Sequence, residues 1–517
     1  MGVKSGLKRT GWLLVCLLLL LSPLIVRGAD DATEAEELTS LCTLTWTGGA
    51  QDRAFALTDR RINTSCRMKD GDALTIQADR DMGTLLLRFF QLDASFRLVE
   101  REENGRLLQE QVLTTAVALT VPLKSGCRCV QIQAMGEGLR ICEAAVYSPG
   151  PLPADVPHPD APHDKTDFLL IATHPDDEWV FLGGVYPIYG KERGYAGTVA
   201  YVTLPTWERA QECINGLWIG GVRTHPFFLG FPDVRQSAPK REKDTFRQED
   251  VTLALVRLYR QIRPVVVVTQ DPENGEYGHW QHKLSASAAF DAVELAADPA
   301  YDPVSAAQYG PWMVQKVYQH FAQGISALEL DVDAPLASYG GRTALDVAQA
   351  AFRAHRTQLK APYRPGSSDE AKGDIRHFGL TWSVVGPDTA EDFFEHIPAQ
   401  LLTTYLKSTE PPETATPSPT AAPSPSPTST PLPPSPSAPP ATGPSATPAA
   451  TSSAWDRAEM RAEWAADHAE PLSAGVVLLT VLAVALRQIA RAHHRRRQIP
   501  AAKGLEEGEH VEEGAEK

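Results

Sequence analysis

Five side chains in this 517-residue chain are the best suited to chemistry: His174, Asp176 and Asp177 within one short stretch, and His279 with His282 in another. The first stretch, 166–184, reads TDFLLIATHPDDEWVFLGG; the second, 274–282, reads NGEYGHWQH. Carboxylates are expensive to bury without a partner or a metal. Two imidazoles and one carboxylate drawn from both stretches suit a catalytic zinc, which takes three protein ligands and keeps one position open. They equally suit a two-His-one-carboxylate iron site, so ligand type leaves Zn2+ and Fe2+ both open. A capped helix start, with Asp176 or Asp177 as N-cap, explains the first stretch alone. The second stretch favours the metal.

Each set follows an apolar run with the length of a buried strand, 168–172 for the first and 265–269 for the second. Pro175 stiffens the turn between His174 and Asp176. Open α/β sheets place their chemistry at such carboxyl ends. Further strands are expected at 198–203 and 226–229, and helices at 207–220, 244–263 and 282–297. In the second helix Val251, Leu255, Leu258 and Ile262 recur at helical spacing, and Pro264 stops it. This alternation predicts an α/β, Rossmann-like parallel sheet. It lacks a G-x-G-x-x-G turn, so no dinucleotide is implied. Beyond it a strand is expected at 314–320, a helix at 340–358 and a closing segment at 378–385. Trp312, Tyr318, His320, His355 and Trp382 are candidates for an aromatic wall around the cleft, and Cys213 reads as structural.

THPDDE followed by GEYGHWQH resembles the PIG-L / LmbE-like zinc deacetylases, which remove acetyl groups from N-acetylglucosamine-type sugars. RAQECINGLWIG at 209–220 resembles the family's R-x-x-E helix, and FLGFPD at 228–233 its strand-and-aspartate segment. The resemblance covers 167–291 well and extends more weakly to 397. It implies His174, Asp177 and His282 as zinc ligands and Asp176 as general base on the attacking water. It also implies His279 as the group that stabilises or protonates the oxyanion, and Arg209 and Asp233 as sugar contacts. Where the family has H-x-D-H this chain has Gln281, a neutral amide that orients neighbouring imidazoles less strongly.

The rest of the chain reads as packaging and delivery. Lys4, Lys8 and Arg9 precede an apolar run at 12–26, predicting a signal peptide over 1–28. From 38 to 150, short alternating stretches (73–77, 84–90, 95–100, 116–121) predict an antiparallel sandwich. It resembles a discoidin-type, galactose-binding-like jelly roll, which serves either as a carbohydrate-docking module or as a scaffold. Five of the seven cysteines fall here, and a Cys42–Cys142 disulfide is expected if the first and last strands are neighbours. A linker over 151–165 leads to the deacetylase domain, 166–405. A Pro/Thr/Ser-rich stalk (406–454) cannot bury a core. An apolar stretch at 471–490 predicts one transmembrane helix, and Arg491 with Arg495, Arg496 and Arg497 places the tail (491–517) in the cytoplasm. The net charge of −15 argues against nucleic acid as a partner.

The expectation is therefore an α/β, LmbE-like domain behind an all-β jelly roll, exported and anchored in the cell membrane with its catalytic domain outside. Its expected activity is zinc-dependent removal of the N-acetyl group from an amino sugar in a glycan or glycoconjugate. Two competitors share the residues: a cell-surface glycan-binding protein without turnover, and an iron(II) oxygenase.

Overall fold

The computed structural model describes residues 33–48, 51–321, 324–367 and 373–403. The expected signal peptide, stalk, transmembrane helix and tail lie outside the described residues. Among those described, no helix is long and apolar enough to cross a membrane.

Residues 43–147 fold as two antiparallel sheets. One runs β1 (Thr43–Thr47), β3 (Ala73–Gln77), β8 (Cys129–Ala134), β5 (Ser95–Arg101) and β6 (Leu107–Thr114); the other runs β2 (Cys66–Met68), β9 (Leu139–Tyr147), β4 (Thr84–Phe89) and β7 (Ala118–Pro122). Side chains alternate across a strand, so every second residue turns inward. Leu74, Ile76, Phe96, Leu98, Val130 and Ile132 of the first sheet share one core with Leu85, Leu87, Phe89, Val121 and Ile141 of the second. The expected Cys42–Cys142 disulfide is not formed. Cys42 leads into β1 and Cys142 lies in β9 of the other sheet, and their thiols point to the carbonyls of Leu38 and Arg61.

A third sheet runs β12 (Phe227–Phe231), β11 (Gly197–Thr203), β10 (Phe168–Ala172), β13 (Val266–Thr269), β14 (Lys316–His320), β16 (His377–Ser383) and β15 (Ser326–Glu329). From β12 to β14 every pairing is parallel, as the alternation predicted. Beyond β14 the sheet is mixed: β16 pairs antiparallel with both β14 and β15. These two strands cover an edge that β14 would otherwise expose.

The apolar runs are continuous because both faces of this sheet are covered. Phe168, Leu170 and Ala172 of β10 pack with Trp179 of α1 (Asp177–Val180), Cys213 and Leu217 of α2 (Trp207–Ile219), and Val347 and Ala351 of α5 (Ala344–Phe352). Leu169 and Ile171 pack with Val251, Leu255 and Ile262 of α3 (Gln248–Ile262) and with Ala289 and Val293 of α4 (Trp280–Ala297). Helix α5 is shorter than the expected 340–358. A Thr343/Asp346 capping box starts it, Arg353 ends it, and a 3-10 turn at Arg356–Gln358 redirects the chain.

The sandwich docks on α2. Buried Arg88 of β4 donates to Gln211 Oε1 at 3.3 Å and to Asn215 Oδ1 at 2.9 Å, and Gln211 Nε2 donates to the carbonyls of Phe89 and Val117. Val117 and Ala118 pack there against Leu204, Ala210 and Ile214. The helix that carries Arg209 is thus clamped between the two modules.

Candidate metal centre and active-site pocket

The strand order reverses between β10 and β13, the place where an open parallel sheet leaves a crevice. His174, Asp176 and Asp177 follow β10, and Glu276, His279 and His282 follow β13. Two topologically separate loops therefore deliver the ligand-type side chains to one crevice.

His174 Nδ1, Asp177 Oδ2 and His282 Nε2 form a closed triangle. Its edges are 3.2 Å from His174 to Asp177, 3.1 Å from His174 to His282 and 3.3 Å from His282 to Asp177. A tetrahedral zinc with ligand bonds of about 2.0 Å has ligand atoms about 3.3 Å apart. The triangle is one face of such a tetrahedron, so these residues fit the metal that their types suggest. His279 brings a ring nitrogen within 4.8 Å of the other two imidazoles and stands at the margin of the triangle.

Neighbouring groups fix which nitrogen faces the triangle. His174 Nε2 lies 3.4 Å from Gln281 Oε1 and 3.6 Å from Asp233 Oδ1, which leaves Nδ1 for the centre. His282 Nδ1 lies 2.5 Å from Glu276 Oε2 and 2.9 Å from Gln270 Nε2. The shorter contact is to a carboxylate, so Nδ1 carries the proton and Nε2 is the ligand atom. Glu276 also accepts from Asp271 N at 2.9 Å and faces His320 Nδ1 at 3.0 Å; His320 in turn faces Asp374 at 3.5 Å.

Charge follows this geometry. Burial alone would raise the Asp177 carboxyl, but His282 and His174 hold it well below the usual carboxylate range. Burial alone would lower His282, yet Asp177 and Glu276 raise it to about 10. Without metal, His282 is an imidazolium between two carboxylates, and an ion that binds there must displace its proton.

Asp176 points to the other side. It has φ 129°, outside the comfortable range for a non-glycine residue, and its backbone N donates to Glu178 Oε2 at 2.8 Å. Arg209 holds its side chain, with Nη2 at 2.7 Å from Asp176 Oδ1, and also donates to the carbonyl of Pro175. Burial pushes the Asp176 carboxyl up to about 6 while Arg209 pulls it down. Glu276 shares this backbone strain, with φ 60° directly after Gly275. The two strained non-glycine residues of the centre are the carboxylate beside the ligands and the carboxylate behind one of them.

A pocket of about 140 Å³ opens over the triangle, lined by Asp176, Arg209, Asp233, Tyr277, His279 and Tyr363 among others. His174, Asp176, Asp177, Arg209, Asp233 and His279 all line it; His282 is fully buried, with its ring against those of His174 and His279. Arg209 Nε and His279 Nδ1 are buried and have no hydrogen-bond partner among the described residues. Burial and the neighbouring His174 and His282 lower His279 to about 3, so its ring is neutral at ordinary pH.

Gln281 has a structural task. Its Oε1 accepts from Val234 N at 3.0 Å and its Nε2 donates to Pro232 O at 2.9 Å, fixing the loop that presents Asp233. The expected aromatic wall is not formed. His320 and His355 are fully buried as partners of Glu276 and Glu178, Tyr318 is buried, and Trp382 packs on Phe290. The aromatic rim is instead Tyr277 stacked on Tyr363, with ring centroids 4.1 Å apart. Glu276 and Tyr277 stood in plain view inside NGEYGHWQH. Tyr363 and His355 carried no motif that could mark them.

The chain matches the family model of PIG-L, GlcNAc-PI de-N-acetylase, over residues 169–293, a span that holds both ligand loops. It is 33% identical over 214 residues to a 1D-myo-inositol 2-acetamido-2-deoxy-alpha-D-glucopyranoside deacetylase 1 of Catenulispora acidiphila, covering 35% of this chain and 64% of that protein. It is 32% identical over 245 residues to the corresponding deacetylase of Geodermatophilus obscurus, covering 37% of this chain and 82% of that one. Among solved structures it is similar to N,N'-diacetylchitobiose deacetylase from Pyrococcus horikoshii, with 17% identity, 38% of this chain and 73% of that chain covered, and a TM-score of 0.30. With 32% identity spanning most of the Geodermatophilus protein, and the family match lying across both ligand loops, this chain belongs to the PIG-L family.

Proposed function

We propose that the chain is a zinc-dependent deacetylase that hydrolyses the N-acetyl group of a 2-acetamido-2-deoxy sugar. The observation that carries this is the His174–Asp177–His282 triangle with Asp176 beside it and not part of it. When bound, the metal supplies a Lewis acid that polarises the acetyl carbonyl and makes water acidic enough to attack at neutral pH. Family membership and relatives acting on a 2-acetamido-2-deoxy-glucopyranoside support the substrate class.

In this account Asp176 takes the proton of the attacking water, a role suited to a carboxylate pushed toward neutral pH. The new C–O bond forms as that proton leaves. Neutral His279 donates a hydrogen bond from its unpartnered nitrogen to the oxyanion. The C–N bond then breaks, and Asp176 returns its proton to the departing amine, leaving acetate and the free amino sugar. Arg209 holds Asp176 and offers its unpartnered Nε to a sugar oxygen, while Tyr277 and Tyr363 present an apolar rim to the ring.

The delivery system belongs to the same proposal. The sequence of residues 1–28 and 406–517 supports an exported enzyme held at the membrane by one C-terminal helix, with the sandwich as a glycan-docking module. Replacing Asp176 with Asn is the test of the site. Acetate release should vanish while close to one metal ion per chain is retained. Loss of metal together with activity would make Asp176 a ligand and overturn its role as base.

A further inference from the structure

Between the sandwich and the α/β domain lies a second and larger cavity, about 620 Å³, that the chemistry above leaves unused. The sandwich contributes Arg60, Arg61 and Asn63 to its walls; α2 contributes Glu208, Glu212 and Asn215, and the end of α5 contributes Arg353 and Arg356. Arg60 pairs with Glu37. Arg61, Arg353 and Arg356 are exposed, and none makes an ion pair or side-chain hydrogen bond among the described residues. Part of Arg353's placement answers the dipole at the end of α5, but Arg61, on the other module, has no helix to cap.

The floor adds to this field. Asn215 accepts from Arg88, a guanidinium only 8% exposed whose hydrogen-bond partners are both neutral amides. Glu143 faces it across the β4–β9 pairing, but burial pushes that carboxyl up to about 7, so the guanidinium is only partly offset. The two carboxylates in the cavity, Glu208 and buried Glu212, oppose that charge, and Glu212 also accepts from the N and Oγ1 of Thr357. On a chain of net charge −15, a cleft lined by four arginines against two glutamates is a local reversal of sign. Repulsion among them is unfavourable unless an anion is bound.

The cleft and the pocket border the same two segments. On α2, Glu208 faces the cleft and Arg209 the pocket; after α5, Arg356 lines the cleft and Gln358 the pocket. A linear polymer lying in the cleft would run along both elements toward the metal centre.

We propose that this cleft binds an anionic glycan, a polymer carrying carboxylates or phosphates, and that its sugar chain continues into the pocket. This rests on the deacetylase reading for what happens in the pocket, but the binding itself does not require turnover. Planar guanidinium groups recognise carboxylate and phosphate through paired hydrogen bonds, so either anion suits the arginines.

The test uses the full chain and end-labelled oligomers of polygalacturonate, poly(glycerol phosphate) and chitin, with binding read by fluorescence anisotropy. One variant combines Arg61→Gln, Arg353→Gln and Arg356→Gln, all at exposed positions. At least one acidic oligomer should bind more tightly than neutral chitin, weaken as salt rises, and lose roughly tenfold or more in the variant. Preference between the two acidic polymers identifies the anion, and equal binding assigns the site to charge alone. Acidic binding that is absent, no better than chitin, or unchanged in the variant overturns the proposal, as does tighter binding of a DNA oligonucleotide. The variant should also release acetate from a small neutral N-acetylglucosamine disaccharide as fast as the unaltered chain. If neither releases acetate while acidic binding persists, the deacetylase reading fails and the cleft stands.

Discussion

Replacing Glu276 with Gln keeps the shape of a fully buried side chain and removes its charge, isolating what that charge does for the metal. Glu276 sits 2.5 Å behind His282 and 3.0 Å from His320. Removing such a carboxylate from behind a metal-bound imidazole costs about 10–100-fold in metal affinity, or about 1.4–2.7 kcal/mol. A second effect opposes the first. In the metal-free protein Asp177 and Glu276 raise His282 to about 10, so at about pH 7 the metal must compete with a bound proton. The substitution relieves part of that competition. Zinc affinity, measured by competition with a chromophoric chelator, should therefore fall modestly at about pH 7 and by the full 10–100-fold near pH 10. The melting temperature of the metal-free variant reports the separate cost of leaving His320 with one anion fewer. Unchanged zinc affinity at both pH values, with only a lower melting temperature, would refute the reasoning and make Glu276 a packing residue.

Other outcomes follow from the same geometry. Acetate release should decline as pH falls through about 6, because burial raises the Asp176 carboxyl and the base must be ionised; a bound cation can only move that limb lower. Asp374 and Glu276 raise His320 to about 9 against the lowering effect of burial, and His282 rises to about 10. Folded values above the unfolded one mean stability that is complete below about pH 6.5 and lost as pH rises through about 9 to 10, so the metal-free protein should melt progressively lower over that window. Asp374, held down to about 2, acts in the opposite direction: its contribution is present above about pH 3.9 and disappears as pH falls through about 2. Arg88→Leu should lower stability by about 1–3 kcal/mol in urea titration, since it strands the amide oxygens of Gln211 and Asn215 at the module junction.

The two ligand loops were legible because each follows an unbroken apolar strand and brings unlike residue types together within a few positions. β10 was expected at 168–172 and lies there, and α2 was expected at 207–220 and spans Trp207–Ile219. What lay hidden was the long-range pairing. Glu276 finds His320 forty-four residues later, and Glu178 finds His355 still farther on, with no local pattern to announce either. Strand-embedded histidines and aromatics such as His320 and Tyr318 looked like a cleft wall because burial has no signature distinct from stacking on a ligand. β15 was missed because its short, half-polar run lacks the apolar continuity of the central strands, whereas β16 falls on the closing segment expected at 378–385. Gln281 looked like a weakened catalytic motif, and only its bonds to Pro232 and Val234 show it as a loop anchor.

The most direct measurement is acetate release by the full chain, loaded with zinc, from a panel of N-acetylglucosamine-containing sugars. Metal content would be determined on the same sample, and His282→Ala would serve as the control. The expected result is close to one zinc per chain, acetate from at least one sugar, and neither in the variant. A chain that binds its zinc through His282 and yet releases no acetate from any 2-acetamido sugar would contradict it.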